Sequence, residues 1–206
     1  GLRLTAIDES GIPLPPERIL ALLCMIRFEN GVKAVAVTQW APAAIESIAQ
    51  VYGAKVFRLG RDGEAAEELY REQDWLHDGI FAAVHICARM GAAGESLHTL
   101  NSRLPRFFLE RREIPLSCDR GAVMRALAEG SKTRVDAGRD GLHVRMGAGW
   151  VHIMPLSRRQ ALRIVGESMD SETASELCAL FERKARQIEE KERADGGEER
   201  FLEGGA

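Results

Sequence analysis

The chain has 206 residues, with 45% hydrophobic and 29% charged residues, a net charge of −3 and a pI near 6.0. This is ordinary globular composition, and the length suits one large or two small domains. The weak negative charge offers no basic field for nucleic acid or for an anionic membrane surface. Because no apolar run reaches the roughly 18 residues of a membrane span, we expect neither of these partners.

The four cysteines are far apart and form no Cys-x-x-Cys pair; they are Cys24, Cys87, Cys118 and Cys178. This spacing predicts reduced thiols and disfavours a structural zinc site. The first residues carry neither a basic region nor an apolar signal core. We therefore expect a cytoplasmic protein, with no metal ion and no cofactor held by this chain.

The first part of the sequence alternates strands with helices. Short apolar runs predict strands at 4–7, 33–37 and 55–59, and apolar residues at helical spacing predict helices at 15–28 and 42–52. The second strand is almost continuously apolar, as expected of a parallel strand buried on both faces. This order of elements indicates a small parallel sheet with right-handed crossovers.

Further helices are predicted to cover this sheet. The polar stretch 61–73 predicts a short exposed helix. Asp78 can cap the next helix, because a carboxylate accepts hydrogen bonds from the first N–H groups of a helix. This role is far more common at a helix start than an acid–base pair with the neighbouring His77. The inner face of that helix is predicted to hold five residues, Ile80, Phe81, Val84, Cys87 and Ala88.

The pattern of predicted helices and strands changes at 111–116, and we place the domain boundary there. Beyond it, the pattern predicts a helix at 119–129, three strands and a last helix at 171–190. A tight turn at Gly147-Ala148 predicts a hairpin over 142–154, since glycine supplies the positive φ that such a turn requires.

The predicted fold class is α/β, with a small parallel three-layer α/β domain over 1–110. An α+β domain with an antiparallel sheet and helices on one face follows over 113–190. The stretch 191–206 is mostly polar or glycine and predicts a flexible tail.

The predicted hairpin places His143 opposite His152 and Arg145 opposite Trp150. Two facing histidines could chelate a soft divalent metal with one more ligand, but the sequence offers no third ligand. Such a pair is far more often part of a sheet surface. Trp150 and Arg145 are predicted to make a cation–π contact of structural value.

A strand, a polar turn and a second strand at 149–165 form the strongest candidate site. The turn carries Ser157, Arg158 and Arg159, whose side chains can donate charge-assisted hydrogen bonds to a phosphate. The alternative is that these are ordinary exposed arginines on a turn. We predict phosphate-binding residues here, and no catalytic residues.

Eight short motifs follow one another along the chain, at 7–11, 35–38, 44–49, 52–56, 77–80, 96–105, 140–144 and 149–151. Their order and spacing resemble the third and fourth domains, the C-terminal half, of the α-D-phosphohexomutases (phosphoglucomutase/phosphomannomutase). Residues 154–160 fall where that family has its phosphate loop, Arg-Pro-Ser-Gly-Thr-Glu-Pro. The resemblance extends to about Glu190 and implies the fold predicted above.

The resemblance also implies what a complete mutase needs: a phosphoserine carrier, a magnesium loop and a sugar-reading Gly-Glu-Glu-Ser-Gly loop. Arg3 matches the end of the magnesium loop, but Leu2 stands where its last aspartate is expected and offers no oxygen ligand. The sugar loop is expected between Arg61 and Trp75, where nothing resembles it. Mg²⁺ is therefore expected only for an intact family enzyme.

These departures favour a degenerate, non-catalytic region that recognises a sugar phosphate or serves as a scaffold. It is similar to the regions fused behind mannose-1-phosphate guanylyltransferase-type sugar nucleotidyltransferases. Its expected partners are a sugar phosphate and upstream nucleotidyltransferase or mutase domains. One alternative is the C-terminal half of a working phosphomannomutase or phosphoglucomutase. Another is an oligomerisation module that forms a homo-oligomer through the last helix.

Overall fold

The computed structural model describes residues 4–130, 135–138, 141–147 and 149–203, with the backbone alone at 135–138 and 195–203. The chain divides into two compact units, Gly1–Arg106 and Phe107–Ala206. The expected magnesium-loop match at Leu2 and Arg3 lies outside the described residues. The α/β class followed by an α+β class is confirmed.

The first unit contains eight helices and strands within its described residues. They are α1 (Pro16–Glu29), β1 (Ala34–Val37), α2 (Ala44–Val51), β2 (Lys55–Arg58), α3 (Gly63–Arg71), α4 (Asp74–His77), α5 (Gly79–Ala93) and α6 (Leu97–Ser102). The strands β1 and β2 pair in parallel, with Val35 beside Val56. Helix α1 is buried around most of its circumference and forms the centre of the unit.

The predicted strand at 4–7 is wrong, so the parallel sheet has two strands rather than three. Ile7 forms only an isolated antiparallel bridge with Pro13 and is 60% exposed. The cause is a local turn, in which the Asp8 carboxylate accepts hydrogen bonds from the N–H groups of Ser10 and Ile12, both at 2.9 Å. This turn directs the chain back on itself instead of along the sheet.

The predicted inner face of α5 is also wrong. Its five residues are all exposed, and the buried residues of α5 are Ala82 and Ile86. Because the sequence of α5 is apolar around nearly its whole circumference, apolar spacing could not identify the covered side. The predicted cap is confirmed: the Asp78 carboxylate accepts hydrogen bonds from the N–H groups of Ile80 and Phe81.

The second unit is a five-stranded antiparallel sheet with helices on one face. Its elements are β3 (Phe108–Pro115), α7 (Arg120–Glu129), β4 (Val135–Gly138), β5 (Gly141–Met146), β6 (Gly149–Pro155), β7 (Ala161–Ser168) and α8 (Ser171–Glu203). The strand order is β3-β7-β6-β5-β4. Side chains such as Val144, Val151 and Ile164 form the core with Leu127 and Phe181 of the two helices.

Two features of this unit differ from the sequence-based expectation. The sheet has five strands instead of three, because residues 111–115 of the supposed boundary lie in strand β3 and because four strands, β4 to β7, follow α7. The mixed charged pattern of β3 hid it, since only Ile114 of this strand is fully buried. Helix α8 continues to Glu203, past the expected end near Glu190, and its polar residues include many strong helix formers.

The hairpin prediction is confirmed. Strands β5 and β6 pair with His143 opposite His152 and with Arg145 opposite Trp150. Gly147 has a φ of 57° at the turn, in the region that favours glycine.

Candidate functional site

The turn that carries the predicted phosphate contacts connects β6 to β7. These strands pair up to Pro155 and Leu162. The Leu156 N–H then donates to the Ala161 carbonyl at 2.9 Å, and the Ala161 N–H donates to the Arg159 carbonyl at 2.9 Å. The strand–turn–strand arrangement expected from the sequence is therefore present. We call residues 156–160 the β6–β7 turn.

The guanidinium group of Arg120, at the start of α7, holds this turn from inside. It donates hydrogen bonds to the carbonyl oxygens of Leu156 and Arg159, the latter at 2.9 Å. The Gln160 side chain donates to the Cys118 carbonyl at 2.5 Å, and the Leu116 N–H donates to the Gln160 carbonyl at 2.8 Å. The turn is thus fixed to the segment 116–120, and two of its carbonyl groups point toward a cation.

The three predicted residues, Ser157, Arg158 and Arg159, are all exposed on this turn. The Arg159 side chain is 76% exposed, and its Nη1 lies 3.8 Å from Oε2 of Glu113. Within the described part of the chain, the side chains of Ser157 and Arg158 make no hydrogen bond or ion pair. A ligand would therefore meet donors that the fold leaves available, without having to break strong internal bonds.

The surroundings of the turn are basic although the whole chain is weakly acidic. Arg163 on β7 pairs with Glu113 at 2.7 Å, and Arg120 lies behind the turn. Glu113 is thus shared between Arg159 and Arg163, while Arg158 adds a further positive charge. This local excess of positive charge suits a phosphate group, because guanidinium groups form strong charge-assisted hydrogen bonds with it.

The segment where a sugar-reading loop was expected has a different structure. Residues 61–77 form α3 and α4, and Glu64, Glu67 and Glu68 lie exposed along α3. Between the two helices, Gln73 is 95% buried, with 5% of its surface exposed. The segment 61–77 therefore has no exposed loop like the sugar-reading loop that was expected there.

The Gln73 side chain instead imitates a neighbouring strand. Its Oε1 accepts a hydrogen bond from the Ala36 N–H at 2.9 Å, and its Nε2 donates to the Ala36 carbonyl at 2.6 Å. Both backbone groups of Ala36 face the edge of β1 opposite β2. One amide side chain therefore satisfies the strand edge that another strand would otherwise cover.

A buried arginine organises the carboxyl end of β1 and was not found from the sequence. Arg58 is 3% exposed and forms a two-point ion pair with Glu46 at 2.6 and 2.7 Å. It also donates to the carbonyl groups of Gln39 and Ala41 at 2.9 and 2.8 Å. Because the charge is both paired and hydrogen-bonded, its burial is tolerated. The arrangement fixes the loop after β1 and leaves no guanidinium donor directed to solvent there.

The facing histidines act as part of the sheet. The rings of His143 and His152 are 5.8 Å apart, but His143 stacks on Trp150 at 4.5 Å and 11°. Arg145 lies 5.3 Å from the centre of the Trp150 ring, which confirms the cation–π prediction. Among the described residues, no group of three or more His, Cys, Asp or Glu side chains is arranged to hold a metal ion.

All four cysteines are free thiols, as predicted. Burial raises the pKa of the Cys24 thiol well above its usual range. Burial also raises the pKa of Cys178. Within the part of the chain that the structure describes, no helix is long and apolar enough to cross a membrane.

Comparison with known proteins gives two curated relatives and several solved structures. The phosphoglucosamine mutase of Methanococcus vannielii is 24% identical over 198 residues, which cover 85% of this chain and 44% of that protein. A probable phosphoglucosamine mutase of Methanocella arvoryzae is 28% identical over 207 residues, covering 87% and 44%. The chain thus spans less than half the length of these relatives. No protein-family model matches the sequence.

Solved structures share the fold at low sequence identity. A phosphoglucomutase/phosphomannomutase family protein of Burkholderia thailandensis has a TM-score of 0.71 at 16% identity, covering 91% of this chain and 45% of that one. The Aspergillus fumigatus N-acetylphosphoglucosamine mutase, solved with GlcNAc-6P and magnesium, has a TM-score of 0.61 at 12% identity, covering 90% and 46%. The chain is thus similar in sequence to two phosphoglucosamine mutases and shares its fold with solved mutases of the phosphoglucomutase/phosphomannomutase type.

Proposed function

We propose that this chain is a sugar-phosphate-recognition region of the phosphohexomutase type that does not itself catalyse the mutase reaction. Ser157, Arg158 and Arg159 contact the phosphate in this proposal. The observation that carries it is the exposed set of donors on a turn whose shape Arg120 fixes. A fixed turn loses less conformational entropy on binding than a mobile one.

The proposed lack of catalysis rests on the segment 61–77. The family resemblance implies a sugar-reading loop there, but the segment consists of two helices joined at the buried Gln73. In the β6–β7 turn the small residues that would allow backbone N–H groups to approach an anion are displaced, and two of its carbonyl groups bond to Arg120. Phosphate binding through side chains alone gives recognition without the full set of mutase contacts.

The proposed setting is a nucleotide-sugar protein with a mannose-1-phosphate guanylyltransferase-like domain upstream. This part rests on the resemblance described above. The competing proposal is the C-terminal half of a working hexose-phosphate mutase that uses Mg²⁺. The names of the two curated relatives, both phosphoglucosamine mutases, favour it. Reading the gene upstream distinguishes the two, through a nucleotidyltransferase signature in one case and an Asp-x-Asp magnesium loop in the other.

Isothermal titration calorimetry tests the recognition proposal. The chain is titrated with mannose 1-phosphate, glucose 1-phosphate and glucosamine 6-phosphate, each with and without magnesium. We expect saturable binding that the double substitution Arg158→Ala with Arg159→Ala abolishes. The matched control is Arg125→Ala, which removes an exposed arginine of α7 whose ion-pair partner is Asp119, at 3.9 Å, and not a residue of the turn.

The outcomes separate three interpretations. If binding is lost in the double variant but not in the control, the result supports the β6–β7 turn as the phosphate-binding site. Binding that survives in that variant contradicts the assignment of these residues. No binding of any sugar phosphate by the wild-type chain leaves the fold as a scaffold and overturns the recognition proposal.

A further inference from the structure

Helix α5 carries an exposed apolar stripe along its length. Ile80 and Val84 are 67% and 60% exposed, and Cys87, Ala88 and Gly91 continue the same face toward the carboxyl end. These positions recur every three or four residues, so their side chains lie in one row on the helix surface. A contiguous apolar patch of this kind marks an interaction surface more often than scattered exposed apolar residues do.

The side chains of the stripe become smaller from the amino-terminal half of α5 to its carboxyl-terminal half. The amino-terminal half presents the large side chains Ile80 and Val84, and the carboxyl-terminal half presents Ala88 and Gly91. A Cβ atom added at Gly91 would meet nothing within 4 Å, so the surface there is open. The large half of the stripe therefore fits the small half of an identical stripe, provided that the second helix runs in the opposite direction.

Charge also favours this arrangement. Arg89 is the one Lys, Arg, Asp or Glu residue within α5, and it forms ion pairs with Glu29 and Glu95 at 2.7 and 3.2 Å. No like charges would therefore meet along the stripe. Two antiparallel helices also place each positive dipole end beside the negative end of the other.

We propose that α5 pairs with α5 of a second copy of this chain in an antiparallel, two-fold-symmetric dimer. Such an interface is isologous, so Ile80 of each copy faces Gly91 of the other. A helix of 15 residues is about 22 Å long. One helix face of this length buries well under about 1,200 Å² in total, which corresponds to a weak, concentration-dependent dimer. This inference does not depend on sugar-phosphate recognition.

Sedimentation velocity over a range of chain concentrations tests the dimer. We expect the wild-type chain to move from monomer to dimer at high micromolar concentration. Gly91→Arg places a bulky charge where Ile80 of the second copy would pack, and should weaken the dimer about tenfold or more. The control is Val51→Arg, which changes a 79% exposed valine at the end of α2 and should leave the dimer unchanged.

Crosslinking tests the direction of the pairing. One chain carries Ile80→Cys and the other Gly91→Cys, both with Cys87→Ser and Cys118→Ser, and the mixture is treated with a short bismaleimide. Cys24 and Cys178 are buried and should not react. Antiparallel pairing predicts a crosslinked heterodimer.

Three results would overturn the proposal. They are a chain that stays monomeric at every concentration, a dimer that Gly91→Arg does not weaken, and a mixture without the crosslinked heterodimer. Equal melting temperatures of the variants verify that the monomer remains folded.

Discussion

The β6–β7 turn and the segment 61–77 stand where the family resemblance implies two ligand-reading loops, and they differ from that expectation in different ways. The turn has the expected strand–turn–strand geometry, but most of the expected ligand residues are different. The segment has a different backbone structure, with α3, Gln73 and α4 in place of a loop. Side chains on a turn can change without cost to a fold whose geometry depends on backbone hydrogen bonds. A change of backbone structure beside a sheet is different, because the N–H and carbonyl groups of an uncovered sheet edge then require a new partner.

The difference predicts which region is more sensitive to a single substitution. Gln73 is buried and supplies both hydrogen bonds of a strand edge, whereas the residues of the turn are exposed and water can replace their partners. Loss of a buried partner costs more than loss of an exposed one.

The largest expected effect is that of Gln73→Leu. The substitution leaves the Ala36 N–H and carbonyl buried without partners, at about 1–3 kcal/mol for each group, so about 2–6 kcal/mol in total. Urea unfolding measures the change. The matched control is Gln50→Leu at an exposed position of α2, which should change the unfolding free energy by no more than about 0.5 kcal/mol. Equal losses in the two variants would contradict the strand-edge role of Gln73.

Sequence patterns predicted the elements that local interactions specify. The hairpin around Gly147 and the cap at Asp78 follow from turn chemistry and capping. Strand β3 was missed because its charged residues hide the alternation. A strand at 4–7 was predicted because an apolar run alone does not reveal the turn at Asp8.

The residues that shape the two compared regions could not be predicted in the same way. Gln73 bonds to Ala36, 37 positions away, and Arg120 bonds to carbonyl groups 36 and 39 positions away. Such side-chain to backbone bonds leave no periodic signal, because the partner is a backbone group that every residue possesses. Ser157, Arg158 and Arg159 could be proposed as phosphate contacts because they are adjacent in the sequence, but Arg120, which bonds to their turn, could not be predicted.

An intermediate effect is expected for Arg120→Met, which keeps an unbranched side chain and removes both hydrogen bonds to the turn. Hydrogen bonds to a charged group contribute about 1.5–3 kcal/mol, and we expect the low end because Arg120 is only partly buried. Hydrogen exchange gives the local measurement, since the N–H groups of Leu156 and Ala161 close the turn. Both should exchange faster in Arg120→Met than in the control Arg125→Met. Unchanged exchange would show that the strands alone fix the turn.

The smallest expected effect depends on pH and acts on the segment 116–120 that anchors the turn. Glu189 of α8 is 7% exposed and accepts hydrogen bonds from the N–H and hydroxyl of Ser117 at 2.6 and 2.7 Å. Burial opposes ionisation of this carboxyl, but the bonds from Ser117 and from Arg186 outweigh it and hold its pKa below the ordinary value. A lowered pKa means that the ionised form stabilises the fold.

This stabilisation should be complete above the ordinary glutamate pKa and should be lost as the pH falls through the lowered pKa of the folded state. Urea unfolding of the wild-type chain and of Glu189→Gln between about pH 7 and pH 3 measures it. The wild-type advantage is expected to be largest at neutral pH and to shrink in acid. Glu190→Gln, at the exposed neighbouring position, should show no such trend. A constant difference between wild type and Glu189→Gln would mean that packing, and not the charge of Glu189, anchors Ser117. In that case the β6–β7 turn would keep this anchor in acid.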